Sequence, residues 1–252
     1  MKDTKSILQP KKYKILLIGD NCTDVYQYGI IDRISPEAPV PVFEFSYEEK
    51  KPGMAGNVLE NLKKLNCQVD FIFDKVSTKT RLIDIRSKQH LIRIDKDNIS
   101  TPITVDLSVI NSYDAIIISD YDKGTISEDT IRKITKKSLV PVFIDTKKTD
   151  LSIAGNSWVK INQNEYKKIK KSCSNLIVTL GSQGTEYKKN IYPAQNVEVL
   201  DVCGAGDTFL SALTFKFLET ESIETAIKFA NLAAAITVQH IGVYAPTLEE
   251  IL

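Results

Sequence analysis

The chain has 252 residues, enough for one α/β domain or one domain with a small appendage. Its 33 Lys and Arg against 32 Asp and Glu leave a formal charge of +1, so no bulk field directs it to nucleic acid or a membrane surface. Four cysteines without paired spacing and two distant histidines speak against a zinc site and suit reduced thiols in a cytoplasmic protein. No apolar run approaches a membrane span, and the basic N-terminal stretch (Lys2, Lys5, Lys11, Lys12, Lys14) has no apolar signal core.

The first apolar run, Lys14 to Ile18, reads as a buried strand ending in Gly19-Asp20, with Asp24 just beyond. Acidic residues at the carboxyl end of a parallel strand lie where α/β sheets bind ligands, although a solvated turn fits the spacing equally. Pro36, Pro39 and Pro41 then exclude a helix and disfavour a central strand, which leaves an extended edge ribbon. Val40, Val42 and the alternate aromatics up to Tyr47 continue it as a half-buried strand. A helix from about Asn57 to Leu65 carries Val58, Leu62 and Leu65 on one face, with Asn57 placed as an N-cap. A strand from Val69 to Phe73 passes at once to Ser77, and Lys79 to Arg81 with Gln89 to Asp95 alternates like a hairpin. Paired with the proline-rich ribbon, this hairpin makes a β lid. Strand and helix then alternate: Ala115 to Ile118, a helix from about Ser127 to Lys137, Val140 to Ile144, and Leu176 to Thr179 before the glycines at 181 and 184. That is the pattern of a parallel sheet. Between the last two strands, Asn162 to Tyr166 reads as a helix start, with Asn162 or Asn164 as cap and Glu165 in the first turn.

The last motif is Glu198-Val-Leu-Asp201-Val-Cys-Gly204-Ala-Gly206-Asp207. It reads as a strand from Asn196 to Leu200, a tight glycine turn, and a long apolar helix from about Asp207 to Leu218. A second helix follows, around Phe229 to Ala235. The glycines free the backbone, and the first helical N–H groups then face outward where an anion can meet them. Asp207 beside them is placed to take a proton from an attacking hydroxyl, so the pair makes a phosphoryl-transfer constellation. An N-capping Asp after a glycine turn is the plainer reading. No Gly-Lys-Ser/Thr follows the turn, so it is not a P-loop. The third glycine of a dinucleotide fingerprint is also missing.

Asp201 to Asp207 resembles the Asp-x-x-Gly-Ala-Gly-Asp signature of the ribokinase-like (PfkB) sugar kinases. The run Arg33-Ile-Ser-Pro-Glu-Ala-Pro-Val-Pro-Val42 resembles their heptose-7-phosphate kinase subgroup, which is often fused to a nucleotidyltransferase domain. The likeness extends in order over nearly the whole chain. One departure is a strand and helix, usual in the family, that are missing between Phe73 and Ser77.

The resemblance implies one kinase domain over residues 1–252. Its fold would be a doubly wound, mostly parallel sheet with a small β lid built from about 26–50 and 78–96. Asp207 would be the catalytic base, with Gly204, Ala205 and Gly206 as the anion hole. Asp24, Gly53 and Asn57 would meet the sugar, although Met54 stands where the family has a second glycine. Lys79, Arg81, Arg93, Asp120 and Lys123 would surround the sugar phosphate. Lys147, Asn162, Thr179, Gly181, Gly184 and Asn231 would meet ATP, and Asn162 with Glu165 would organise Mg2+ through water and phosphate. The resemblance leaves room for a monovalent cation near Asp201, and it implies a homodimer formed through the lid. The implied reaction is phosphorylation of O1 of a heptose 7-phosphate. A kinase of another sugar, or a shortened non-catalytic nucleotide- or sugar-binding protein, are the alternatives.

Overall fold

The computed structural model describes residues 12–252; Lys2, Lys5 and Lys11 lie outside them. The chain enters through β1 (Lys14–Gly19), whose unbroken Ile and Leu run is buried on both faces, as a central parallel strand requires. It then forms β2 (Asn21–Ile34), β3 (Pro41–Met54), α1 (Ala55–Lys64), β4 (Gln68–Ile72), β5 (Val76–Asp84) and β6 (His90–Lys96). Next come β7 (Ala115–Asp120), α2 (Glu128–Lys137), β8 (Val142–Thr146), β9 (Trp158–Asn162), the short α3 (Gln163–Tyr166) and β10 (Leu176–Thr179). The chain ends through β11 (Thr185–Tyr187), β12 (Asn190–Tyr192), α4 (Ala205–Thr220), α5 (Ile223–Thr237) and α6 (Leu248–Ile251).

Eight strands form the main sheet in the order β12-β11-β10-β9-β8-β7-β1-β4. All pairings from β4 to β10 are parallel, and only the β10–β11 and β11–β12 pairs are antiparallel. Because strand side chains alternate, Ile15, Leu17 and Ile117 join α1, α4 and α5 in one core. Leu16, Ile18, Ile116 and Ile118 join Ile131 and Ile134 of α2 in another. Helices on both faces of a mostly parallel sheet make this a doubly wound α/β fold. The strand order reverses where β1 lies between β4 and β7, so a crevice opens at the carboxyl ends of β1 and β7. Those ends carry Asp20 and Asp120.

The lid grows out of that crevice. After β1 only Asp20 intervenes before β2, and β3 runs directly into α1. The lid sheet has the order β3-β2-β5-β6, with β2 and β5 parallel and both outer pairs antiparallel. Pro36 and Pro39 fall in the connection, while Pro41 and Pro52 lie in β3, an edge strand where a missing N–H breaks no ladder. The edge-ribbon expectation therefore holds, with strands longer than the anticipated segments. A buried ion pair ties β2 to β5: Arg81 Nη1 lies 2.6 Å from Asp24 Oδ1. Ile34, Val40, Phe45, Tyr47, Ile92 and Ile94 of the lid region are exposed.

Three expectations need correction. Asn57 does not cap α1, which starts at Ala55 after Met54 and so holds Asn57 buried within its first turn. Asn196 to Leu200 is not a strand; Val199, Leu200 and Val202 are exposed, and the Leu200 and Asp201 amides donate to Val238 O at the end of α5. The β-branched alternation there imitates a strand, but no neighbouring strand pairs with it. The helix after the glycine turn begins at Ala205, not Asp207, which places Asp207 in its first turn. All four cysteines are free thiols, and among the described residues no helix is long and apolar enough to cross a membrane.

Candidate active site

The site forms where α4 points its first turn at the β1–β7 crevice. Gly204, at φ +79°, is the residue before α4, and its left-handed backbone suits glycine. Asp207 is 4% exposed, yet both of its oxygens are hydrogen-bonded. Asn57 Nδ2, from α1, donates to Oδ2 at 2.9 Å, and the Tyr121 hydroxyl, just after β7, donates to Oδ1 at 2.7 Å. Burial raises the Asp207 pKa; the two donors lower it, Asp145 raises it, and Lys160 lowers it, leaving it pushed up to about 6. A carboxylate so placed is ionised at neutral pH and close enough to it to exchange a proton in either direction.

Three glycines are needed because polar side chains occupy the space of their missing Cβ atoms. A Cβ on Gly204 would lie 2.7 Å from Asn57 Nδ2, and one on Gly206 would lie 2.8 Å from Lys160 Nζ. A Cβ on Gly53 would lie 2.2 Å from Asp24 Oδ2. Lys160 itself is buried, 2.7 Å from Asp145 Oδ2. Burial works against its charge, but Asp145, by field and hydrogen bond, together with the fields of Asp207 and Glu165, outweighs that and holds the ammonium.

The crevice floor is fixed by a second acid. Asp20 is 1% exposed and accepts from the amides of Tyr121, Lys123 and Thr125 at 2.8, 3.1 and 3.2 Å. Asp120 accepts from Thr146 Oγ1 at 2.6 Å, and burial pushes its pKa up to about 6. Met54 takes the glycine-like backbone its position demands, at φ +51° and ψ −132°, while its side chain is buried. A non-glycine there is strained by on the order of 1–3 kcal/mol.

The expected phosphate ligands do not converge equally. Arg81 is locked on Asp24, Lys123 lies 2.5 Å from Asp97, and Arg93 stands exposed on the outer strand β6, paired with Asp95. Lys79 is different: it makes no ion pair with a described residue, and its Nζ lies 5.8 Å from the Tyr121 ring centroid. Lys147 Nζ also lies 5.2 Å from the same ring and is ion-paired with Glu165. Asn162 and Glu165 close a capping box on α3, each side chain accepting from the other's amide.

Thr179 donates to Ile161 O, and Gly181 and Gly184 bracket the turn between β10 and β11. Asn231 braces the exit of that loop, accepting from Thr185 Oγ1 at 2.7 Å and donating to Tyr192 O at 2.9 Å. Asp201 accepts from the amides of Cys203 and Gly242, both at 2.9 Å, and so joins two loops. Sequence reasoning passed over Tyr121, Lys160 and Asp145. A lysine inside the apolar strand β9 was the available signal for one of them.

The chain resembles known proteins throughout. Residues 77–250 match the model of the pfkB family carbohydrate kinases. The bifunctional protein HldE of Nitratiruptor sp. is 32% identical over 297 aligned positions, covering 95% of this chain and 64% of that protein. HldE of Helicobacter pylori is 33% identical over 303 positions, covering 94% and 65%. The chain thus spans less than two thirds of the length of these relatives. Both alignments exceed its 252 residues, so the relatives carry residues where it has none. Arabidopsis thaliana ribokinase, in complex with ribose and ATP, shares the fold with a TM-score of 0.70 at 17% identity, covering 96% of this chain and 98% of that one.

One outcome tests the space argument directly. Gly204→Ala adds a methyl at positive φ and drives Asn57 off Asp207, so kcat should fall by at least about tenfold, the weight of one hydrogen bond to a charged group. Steady-state kinetics with thermal melting as a control checks this; unchanged kcat would remove the Asn57 contact from catalysis. The match to the family model over most of the chain, with the identity to HldE proteins and the ribokinase fold, establishes that the chain belongs to the pfkB family of carbohydrate kinases.

Proposed function

We propose that the chain transfers the γ-phosphoryl group of ATP to a hydroxyl of a sugar phosphate, first among them O1 of a heptose 7-phosphate. The observation that carries this reading is Asp207, buried and ionisable near neutral pH at the glycine-opened start of α4. The acceptor hydroxyl gives its proton to Asp207 as its oxygen bonds to the γ-phosphorus, and the bond to the bridging oxygen of ADP breaks. The amides of Gly204 and Gly206 would face the charge that builds on the transferring group, whereas the Ala205 amide, expected in the same anion hole, donates to Val202 O at 3.3 Å. Lys160, beneath Gly206, adds a fixed positive charge on that side.

Among the described residues no group of three or more His, Cys, Asp or Glu could hold a metal. Glu165 has its oxygens on Lys147 Nζ and the Asn162 amide, so with Asn162 it would hold Mg2+ only through water and phosphate, as suits an ion that keeps its waters. When bound, it would neutralise phosphate charge; the residues that meet the nucleotide on this side are Lys147, Thr179 and the loop of Gly181 and Gly184. A monovalent cation near Asp201 belongs to the same proposal, since each carboxylate oxygen accepts one amide and keeps a lone pair for a cation.

The Arg33 to Val42 run, which resembles the heptose-7-phosphate kinases, favours a heptose phosphate acceptor, as does Lys79 beside the site without an ion-pair partner among the described residues. A phosphate on the acceptor would supply one. A silent binding protein would have no need for the held Asp207, with its three-sided support from Asn57, Tyr121 and Lys160.

Asp207→Asn should lower kcat by about 10²–10⁴-fold while ATP still binds. In the wild type, kcat/KM should fall as pH drops through about 6, where Asp207 takes up a proton and Asp120 does so too. A pH–rate profile flat to pH 5, or an Asn variant with normal turnover, would remove Asp207 as base. For the acceptor, heptose 7-phosphate, fructose 6-phosphate and the free sugars should be compared. Phosphorylated sugars should win, and Lys79→Ala should raise their KM roughly ten- to a hundredfold with little change for ATP. Preference for a free sugar would sink the phosphosugar assignment and leave the kinase reading standing.

The exposed lid residues Phe45, Tyr47, Ile92 and Ile94 give the lid an apolar surface that a second copy would cover, so we propose a two-fold dimer through the lid. Sedimentation should find a dimer that Phe45→Lys dissociates. A monomeric wild type at working concentration would defeat the idea.

A further inference from the structure

We propose that Tyr121 is a positioning residue that latches the base: its hydroxyl stands at Asp207 Oδ1 until an acceptor hydroxyl replaces it, and this keeps Asp207 from activating water against ATP. The inference rests on the kinase reading of Asp207 and adds to it a guard against wasteful hydrolysis.

The two donors to Asp207 are not equivalent. Asn57 is 2% exposed on α1, accepts from Asn61 Nδ2, and is packed against the Gly204 backbone. It has no room to leave. Tyr121 lies on a loop whose backbone is pinned by Asp20, so any release has to come from rotation of its side chain. Its hydroxyl reaches Asp207 from the end of β7, at the crevice between β7 and β1. With the carboxylate only 4% exposed and Oδ1 already taken at 2.7 Å, a water has little access to the base while the latch is closed.

The ring is also tied to the lid. Lys79, on lid strand β5, lies 5.8 Å from the ring centroid, and Lys147, beside Glu165, lies 5.2 Å from it. These are cation–π distances. An acceptor whose phosphate draws Lys79 away takes one cation off the ring and loosens the latch. Binding of the proper acceptor and release of the base would then be one event.

With the latch removed, water can take the acceptor's place. It would give a proton to Asp207 while its oxygen bonds to the γ-phosphorus and the bond to the ADP oxygen breaks, yielding ADP and phosphate. Loss of the Tyr121 donor also removes a contact that favours the ionised carboxylate. Asp207 would still face Asn57, Asp145 and Lys160, while the ring position would still face Asp145, Glu165, Lys79 and Lys147.

The test is Tyr121→Phe in the full chain, which keeps the ring and both cation contacts. ATP hydrolysis without acceptor should rise about tenfold, and the acid limb of kcat/KM should move up by about one pH unit, the weight of one hydrogen bond to a charged group. KM for ATP should stay where it was. The extra hydrolysis should vanish in Tyr121→Phe combined with Asp207→Asn, because it needs the base. Carboxyl-¹³C NMR follows the Asp207 titration directly, without turnover, and should report the same upward move. Unchanged acceptor-free hydrolysis, or an unmoved Asp207 titration, would overturn the proposal. Failure of the kinase reading looks different: a wild type that phosphorylates no acceptor, in which the NMR titration still decides whether Tyr121 holds the carboxylate.

Discussion

The constraint on which the site depends is a carboxylate held almost entirely out of water. Asp207 is worth burying only because Asn57 and Tyr121 donate to its two oxygens and Lys160 places a positive charge nearby. Take Asn57 or Lys160 away and desolvation raises its pKa further, towards a carboxylic acid that cannot accept a proton. The fold supplies the three supports from three different elements: α1, the end of β7, and β9. No local stretch of chain holds this carboxylate. The doubly wound sheet does, by bringing the start of α4 over its switch point.

That assembly explains the glycines better than backbone freedom alone. Gly204 does need its positive φ, but Gly206 and Gly53 do not lie at positive φ. They are glycines because Lys160 and Asp24 stand where a Cβ would be. In these motifs the small residues are the imprint of large polar ones that arrive from elsewhere in the chain. Met54 is the contrasting case: at φ +51° it has a backbone that glycine would accept without strain, and the neighbouring core encloses its side chain. The turn geometry therefore persists without the residue that makes it easy.

Much of the fold was legible because periodicity and punctuation are local. The Ile-rich run of β1, the apolar face of α1 and the proline spacing of the lid each give their conformation away within a dozen residues. The Asn162 to Glu165 capping box was legible too, since its partners are three residues apart. What stayed hidden depends on distant partners. Val199 and Leu200 look like a strand, and only the absence of a neighbour makes them a loop. Lys79, Arg81, Arg93 and Lys123 are alike as sequence, yet Asp24, Asp95 and Asp97 claim three of them. Tyr121 was passed over because nothing nearby in sequence hints that its hydroxyl meets residue 207.

The length mismatch with the relatives raises the question of how a shorter chain keeps the site. The gap read from the sequence lies between Phe73 and Ser77, and the chain there passes from β4 to β5 within residues 73–75. That makes β4 an outer strand of the main sheet, at the far end from β12. An open edge invites pairing with other chains, but this one is five residues long and carries Asp70, which pairs with Lys14 at 3.4 Å and accepts from the Tyr113 hydroxyl. A short edge with an inward-tied charge is a poor template. The cluster around Asp207, meanwhile, is built on β1, β7, β8, β9, α1 and α4, all on the inner side of that edge or in the helical layer above it. An outer layer can be absent at β4 without removing any residue that supports Asp207, and β5 still delivers Lys79 and Arg81 to the lid.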